Sequence, residues 1–104
     1  MIRVVIKVDE SSQKITSIEV KGHSGKDAYG KDLVCAAVSA IVTGGFNALD
    51  VKGYDFLLDE GHAYAKAKSI PSNNDAVVLR TMQIQLQTVQ EADPEFILST
   101  KFRF

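Results

Sequence analysis

The sequence has one cysteine, no excess charge of either sign and no long hydrophobic run. A single cysteine among 104 residues excludes a disulfide bond within the chain. Because there is also no signal peptide and no apolar run of membrane length, we expect a protein of the reducing cytoplasm with no membrane partner. The formal net charge is −1, whereas proteins that bind polyanions usually carry an excess of positive charge. No direct nucleic-acid partner is therefore expected.

Metal and nucleotide motifs are missing as well. One cysteine and two histidines match no common spacing of zinc ligands. The sequence contains no repeat, no low-complexity tract, and neither a Gly-x-Gly-x-x-Gly nor a P-loop motif. We therefore expect no metal and no cofactor. A length of 104 residues, with 45% hydrophobic and 24% charged residues, is typical of one soluble globular domain.

The hydrophobic pattern predicts five strands and two helices in the order β-β-α-β-β-α-β. Period-two alternation indicates the strands, and apolar residues at three- and four-residue steps indicate the second helix. The predicted strands lie at 1–8, 15–21, around 54–58, around 62–68 and at 96–104, and the predicted helices at about 33–49 and about 73–92. This order predicts an α+β domain with two helices packed on a mainly antiparallel sheet.

The segment from Gly22 to Ser39 contains the residues whose side chains are best suited to catalysis. The strand before it ends at Gly22-His23, and 24–31 contains two glycines and one large apolar residue, which predicts a loop. The apolar run that begins at Leu33 predicts a buried helix. In that arrangement Cys35 lies in the first turn of the helix, and a histidine lies at the end of the preceding strand.

A thiol in this position needs help to react. Its ordinary pKa of about 8.5 leaves only a few per cent as thiolate near neutral pH. The field of a helix N-terminus contributes roughly 0.3–1 kcal/mol, which is too little by itself. A neighbouring imidazolium lowers a thiol pKa much further. If the loop folds His23 onto Cys35, the two side chains form a nucleophile and its base.

Three further residues are candidates for support. Asp32 has the offset of an N-cap that accepts the Cys35 N–H, and it either orients His23 or only caps the helix. In the first turn of the predicted helix, the N–H groups of Cys35 and Ala36 would be free to hold an oxyanion. Ser39 lies one turn after the cysteine on the same helix face, where it hydrogen-bonds at the site or back-bonds to the Cys35 carbonyl.

A structural interpretation of the same residues stays open. A lone cysteine in an apolar helix is commonly a small buried hydrophobic residue. His62 is the rival base for Cys35, but it stands beside a turn at the end of a strand, where a solvated imidazole is the expected state.

These motifs resemble the ribosomal-processing cysteine protease family, Prp. The resemblance is carried by Gly22-His23-Ser24, by the run from Gly30 to Ala37, by Ser39-Ala40, by Asn47-Ala48, by Asn73-Asn74-Asp75 and by Leu86-Gln87-Thr88-Val89. It covers essentially the whole chain, 1–104, as a single domain. Ser24 stands where the family commonly has alanine, and Ala37 where glycine is frequent.

The resemblance implies a function and a site. Members of this family remove an N-terminal extension from a large-subunit ribosomal protein, and the family suggests a homodimer. In this chain Cys35 would be the nucleophile and His23 the base, with a thioester acyl-enzyme as the intermediate. Two other classes remain: a non-enzymatic module that binds a ribosomal protein or assembly factor by strand addition, and a redox-sensing thiol protein.

Overall fold

The predicted order of elements is confirmed. In the computed structural model, the described backbone covers 1–22, 28–94 and 97–103, and the described side chains cover 1–22 and 33–94. The strands are β1 (Ile2–Val8), β2 (Ile15–Gly22), β3 (Tyr54–Asp59), β4 (His62–Ala67) and β5 (Ile97–Arg103), and the helices are α1 (Ala28–Asn47) and α2 (Asn73–Ala92). A 3₁₀ turn, Val51–Gly53, precedes β3.

The strands form one sheet in the order β3-β4-β2-β1-β5. Three of the four neighbouring pairs are antiparallel, and β5 alone runs parallel to its neighbour β1. The predicted α+β class with a mainly antiparallel sheet is therefore confirmed. The sequence did not define this strand order, because β2 pairs with β4 and β1 with β5 across long stretches of chain.

One hydrophobic core joins the sheet to both helices. Alternate residues of β1 are buried, from Ile2 to Val8, as its period-two pattern requires. Helix α1 adds a stripe at four-residue steps, which comprises Val34, Val38, Val42 and Phe46, and α2 adds Leu79, Met82 and Leu86. None of the helices in the described part of the chain is long and apolar enough to cross a membrane.

The start of α1 differs from the prediction. The helix begins at Ala28, five residues before Leu33, so Cys35 is its eighth residue and not part of its first turn. Asp32 lies inside the helix and is not its N-cap. Gly30 is helical even though glycine costs about 1 kcal/mol relative to alanine, because most helical stability comes from packing of the apolar face rather than from propensity.

The start of α2 agrees with the prediction. The helix begins at Asn73, and Ser72 is its N-cap, because the Ser72 hydroxyl accepts the backbone N–H of Asp75 at 3.1 Å. Asp75 is itself buried, and its carboxylate accepts the Tyr54 hydroxyl at 2.9 Å and the Asp50 N–H at 3.3 Å. This contact ties the helix to β3 and to the connection that leads into it.

Candidate active site

A cavity of about 330 Å³ lies between α1, the end of β2 and the turn that joins β3 to β4. We call it the Cys35 cavity. Its wall includes Gly22, Cys35, Ser39, Asp59, Glu60 and His62. The structure thus brings together three of the residues singled out in the sequence, namely Gly22, Cys35 and Ser39.

Cys35 is a free thiol of intermediate exposure. Its helix neighbours Val34 and Val38 are buried in the core, and Cys35 packs against the edge of that core. Since Cys35 also lines the cavity, its position differs from that of a fully buried hydrophobic residue. Ser39, one helical turn later, is exposed and lines the same cavity.

Gly22 closes β2 in a conformation that suits only glycine. Its φ is +96°, and a Cβ there would collide with the carbonyl oxygen of Met1. Its N–H donates to the Gly61 carbonyl at 2.9 Å, which fixes the end of β2 against the β3–β4 turn. The chain therefore leaves the sheet at the cavity wall, immediately before His23.

The remaining predicted residues stand as follows. Ala36 is exposed and is not among the residues that line the cavity. The first-turn position predicted for the N–H groups of Cys35 and Ala36 is wrong, and this far into α1 an N–H bonds to the carbonyl four residues earlier. The unpaired N–H groups of a helix start belong to its first four residues, here 28–31. His23 and the side chain of Asp32 lie outside the described residues.

His62 borders the cavity but is engaged elsewhere. Its Nε2 lies 2.6 Å from Oε2 of Glu19, and its ring meets Tyr64 edge-on at a centroid distance of 5.7 Å. Glu19 and Tyr64 are paired in register on neighbouring strands, and their sheet face is opposite to the one that buries Ala63 and Ala65. The imidazole is therefore held on the face away from the core, which argues against its acting as the base of Cys35.

The contact with His62 also changes the carboxylate. The hydrogen bond that Glu19 accepts from His62 lowers the pKa of Glu19 below its ordinary value, and the lysines Lys66 and Lys21 add to the effect. The His62 side chain is 36% exposed. It is therefore partly solvated, as expected, but it also bonds to Glu19. Sequence reasoning missed the partner because Glu19 lies 43 residues earlier in the chain.

Sequence reasoning also missed the acidic wall of the cavity. Asp59 and Glu60 looked like turn residues only, yet both line the cavity beside the exposed Leu58. Their position follows from the Gly22–Gly61 hydrogen bond, which sequence patterns do not reveal. Among the residues whose side chains are described, no group of three or more histidine, cysteine or acidic residues is arranged to hold a metal ion.

Comparisons with known proteins point to one family. A sequence model of the family described as cysteine protease Prp matches residues 1–98. The ribosomal processing cysteine protease Prp of Staphylococcus aureus is 35% identical over 96 residues, which cover 88% of this chain and 90% of that protein. Two crystal structures of the S. aureus ribosomal processing protease Prp, one with a covalently linked product peptide and one with a substrate peptide, each superpose with a TM-score of 0.84. Their identities are 31% and 30%, and each alignment covers 97% of this chain and 99% of the other.

Proposed function

The chain belongs to the cysteine protease Prp family and is a cysteine protease, and from this premise we propose that it removes the N-terminal extension of a large-subunit ribosomal protein precursor. Cys35 is the nucleophile and His23 its base. We place the protein in the cytoplasm, where the precursor is made, and expect it to act as a homodimer, a state that light scattering would measure. No cofactor enters the mechanism.

One observation supports this assignment most directly. Cys35 is a partly exposed thiol in the wall of a cavity whose wall also includes Gly22. His23 follows Gly22 in the chain, and consecutive Cα atoms are about 3.8 Å apart. His23 is therefore the next residue in the chain after one that lines the same cavity as Cys35. The alternative base, His62, already bonds to Glu19.

The proposed reaction has two halves. His23 takes the thiol proton, and the Cys35 thiolate attacks the scissile carbonyl to form a tetrahedral oxyanion. Its collapse breaks the peptide bond, gives the His23 proton to the leaving amine and leaves a thioester. Water, deprotonated by His23, then cleaves the thioester and restores the thiol. A covalently linked product peptide in the S. aureus relative is in keeping with a covalent route.

The supporting residues take revised roles in this proposal. Since the N–H groups of Cys35 and Ala36 are used within α1, we assign oxyanion stabilisation to the Ser39 hydroxyl, which lines the cavity one turn after the nucleophile. Asp32 precedes Cys35 by three residues on the helix, so both lie on one side of it. There its carboxylate orients His23 and stabilises the imidazolium.

Cleavage of the precursor tests the proposal. The parent protein, mixed with the precursor ribosomal protein, should yield a product shortened at its N-terminus, as measured by intact mass. Cys35→Ala and His23→Ala should lose cleavage by at least about 10³-fold, whereas His62→Ala serves as the histidine control and should retain most of it. Equal rates for His23→Ala and the parent would overturn the dyad.

A further inference from the structure

Strand β3 lies at one edge of the sheet. Within the described ranges, no strand pairs with its outer side, although β4 pairs with its inner side from Tyr54 to Asp59. Alternate residues of such a strand direct their N–H and C=O groups outward, where they are ready to pair with another extended chain. Natural proteins usually protect an edge of this kind, so an open one needs a reason.

The free edge leads directly into the Cys35 cavity. Leu58 and Asp59 are the last two residues of β3, and both line the cavity. On the side of β3 that faces the core, Tyr54 is buried and Phe56 is partly buried, but Leu58 is 52% exposed. An apolar side chain thus lies uncovered at the point where the edge meets the cavity.

The charge at the end of β3, beside the β3–β4 turn, indicates which kind of peptide would bind there. Asp59 and Glu60 at this end are acidic, and the stretch 57–62 contains no lysine or arginine, whereas Asp55 lies nearer the start of β3, opposite Lys66 of β4. An extended peptide with apolar and cationic side chains would complement both Leu58 and this negative charge.

We propose that the substrate docks by adding a strand to the free edge of β3. The precursor segment pairs through its main chain with β3, places an apolar side chain on Leu58, and continues past Asp59 into the Cys35 cavity with the scissile bond. This docking mode rests on the proposed protease function. It extends that function by naming the strand that binds the substrate and the side chain that aligns it.

A scan of backbone N-methylation tests the pairing. Synthetic peptides that span the end of the extension and the first mature residues carry one N-methyl group each, and their affinity for Cys35→Ala protein is measured by fluorescence anisotropy. Strand addition predicts loss of about tenfold or more at every second position and little change between them, because only alternate N–H groups face the sheet. A scan without this two-residue period would overturn the proposal.

A matched pair of surface variants tests the aligning residue. Leu58→Lys should raise KM for the precursor about tenfold with kcat within about twofold, since it removes the apolar contact and repels a cationic segment. Ile70→Lys makes the same change at a residue of equal exposure, 51%, outside the cavity wall, and should leave both constants unchanged. Leu58→Met, which keeps an apolar side chain at this position, should have the KM and kcat of the parent. Equal KM values for Leu58→Lys and Ile70→Lys would contradict a role for Leu58.

The two experiments separate docking from catalysis. Cleavage by the parent together with an aperiodic methylation scan refutes docking on β3 and leaves the protease function standing. Periodic binding to Cys35→Ala, without cleavage by the parent, refutes the function and supports the docking mode. No measurable binding of the peptides to Cys35→Ala refutes the docking mode.

Discussion

Gly22 shows how one residue constrains the end of β2 at the cavity wall. Its positive φ and the close approach of the Met1 carbonyl leave no room for a side chain, and its N–H bonds to the turn at Gly61. The resemblance to a protease family drew attention to Gly22 as part of a motif. The structure supplies a physical reason for glycine at this position, which is that β2 ends here with a positive φ against the Met1 carbonyl.

Gly22→Ala should therefore cost both stability and activity. A Cβ in this conformation is strained and collides with backbone, so we expect a loss of about 1–3 kcal/mol in the free energy of unfolding, measured by urea titration. Gly53→Ala is the matched control, because a Cβ there meets nothing within 4 Å. If both variants unfold at the parent's midpoint, the constraint at Gly22 does not exist.

The sequence named candidate site residues, but it did not reveal their environment. Cys35 and Ser39 were predicted to share a helix face because they are four residues apart, and both line the cavity. The pair of His62 and Glu19 was unpredictable, since it depends on β2 and β4 lying side by side in a specific register. Spacing alone determines that Cys35 and Ser39 share a helix face. The contact between His62 and Glu19 depends instead on the tertiary pairing of two strands.

Helix α1 is the element where local reasoning failed most clearly. Two glycines before Leu33 favoured a loop, yet the helix already includes Gly30. Local propensity at a helix end is weak compared with the packing that a full apolar stripe provides, so it places boundaries poorly. The error matters for mechanism, because the predicted start placed Cys35 among the free N–H groups of the helix N-terminus, whereas the observed start makes Cys35 the eighth residue of α1.

The adjacent glycines of α1 should respond in opposite directions to the same substitution. Gly44 has open space where a Cβ would lie, so Gly44→Ala should stabilise the protein by about 0.5–1 kcal/mol through helix propensity. At Gly45 a Cβ would overlap the Met82 side chain of α2, so Gly45→Ala should destabilise by about 1–3 kcal/mol. Chemical denaturation of the two variants measures both effects.

A double variant identifies the cause. Met82→Ala removes the side chain that meets Gly45, so Gly45→Ala should cost less in that background than in the parent. An unchanged cost would show that close packing of α1 on α2 is not the reason for glycine at this position.

At the scale of the whole molecule, the order of elements was predictable and the sheet order was not. Periodicity defines each strand and helix from local residues alone. Which strands become neighbours depends on the long-range pairing of β1 with β5 and of β2 with β4. That pairing leaves β3 at an edge and brings the β3–β4 turn to Cys35, so the architecture of the site follows from the part of the fold that local patterns do not encode.

The buried contact between Tyr54 and Asp75 gives the whole fold a pH dependence. Burial, followed by the hydrogen bond to Asp75 and its negative charge, raises the pKa of Tyr54 well above its ordinary value. A raised pKa in the folded state means that the stabilisation is complete below the unfolded pKa of about 10 and is lost as the pH rises above it.

Tyr54→Phe should separate this effect from other alkaline titrations. The parent should lose stability more steeply than Tyr54→Phe as the pH rises above about 10, in urea titrations at successive pH values. Near pH 7 the variant should be less stable by about 1–3 kcal/mol, because the buried Asp75 carboxylate loses a donor. Parallel pH profiles for the two proteins would contradict the proposed ionisation.

The central claim is that His23 keeps Cys35 reactive, and the pH dependence of Cys35 alkylation by iodoacetamide measures this directly. Because Cys35 is the only cysteine, mass spectrometry reports its modification without interference. The parent and His62→Ala should be alkylated readily at pH 7, whereas His23→Ala should react roughly tenfold more slowly there and approach the parent's rate only at alkaline pH. Superimposable profiles for His23→Ala and the parent would contradict the account.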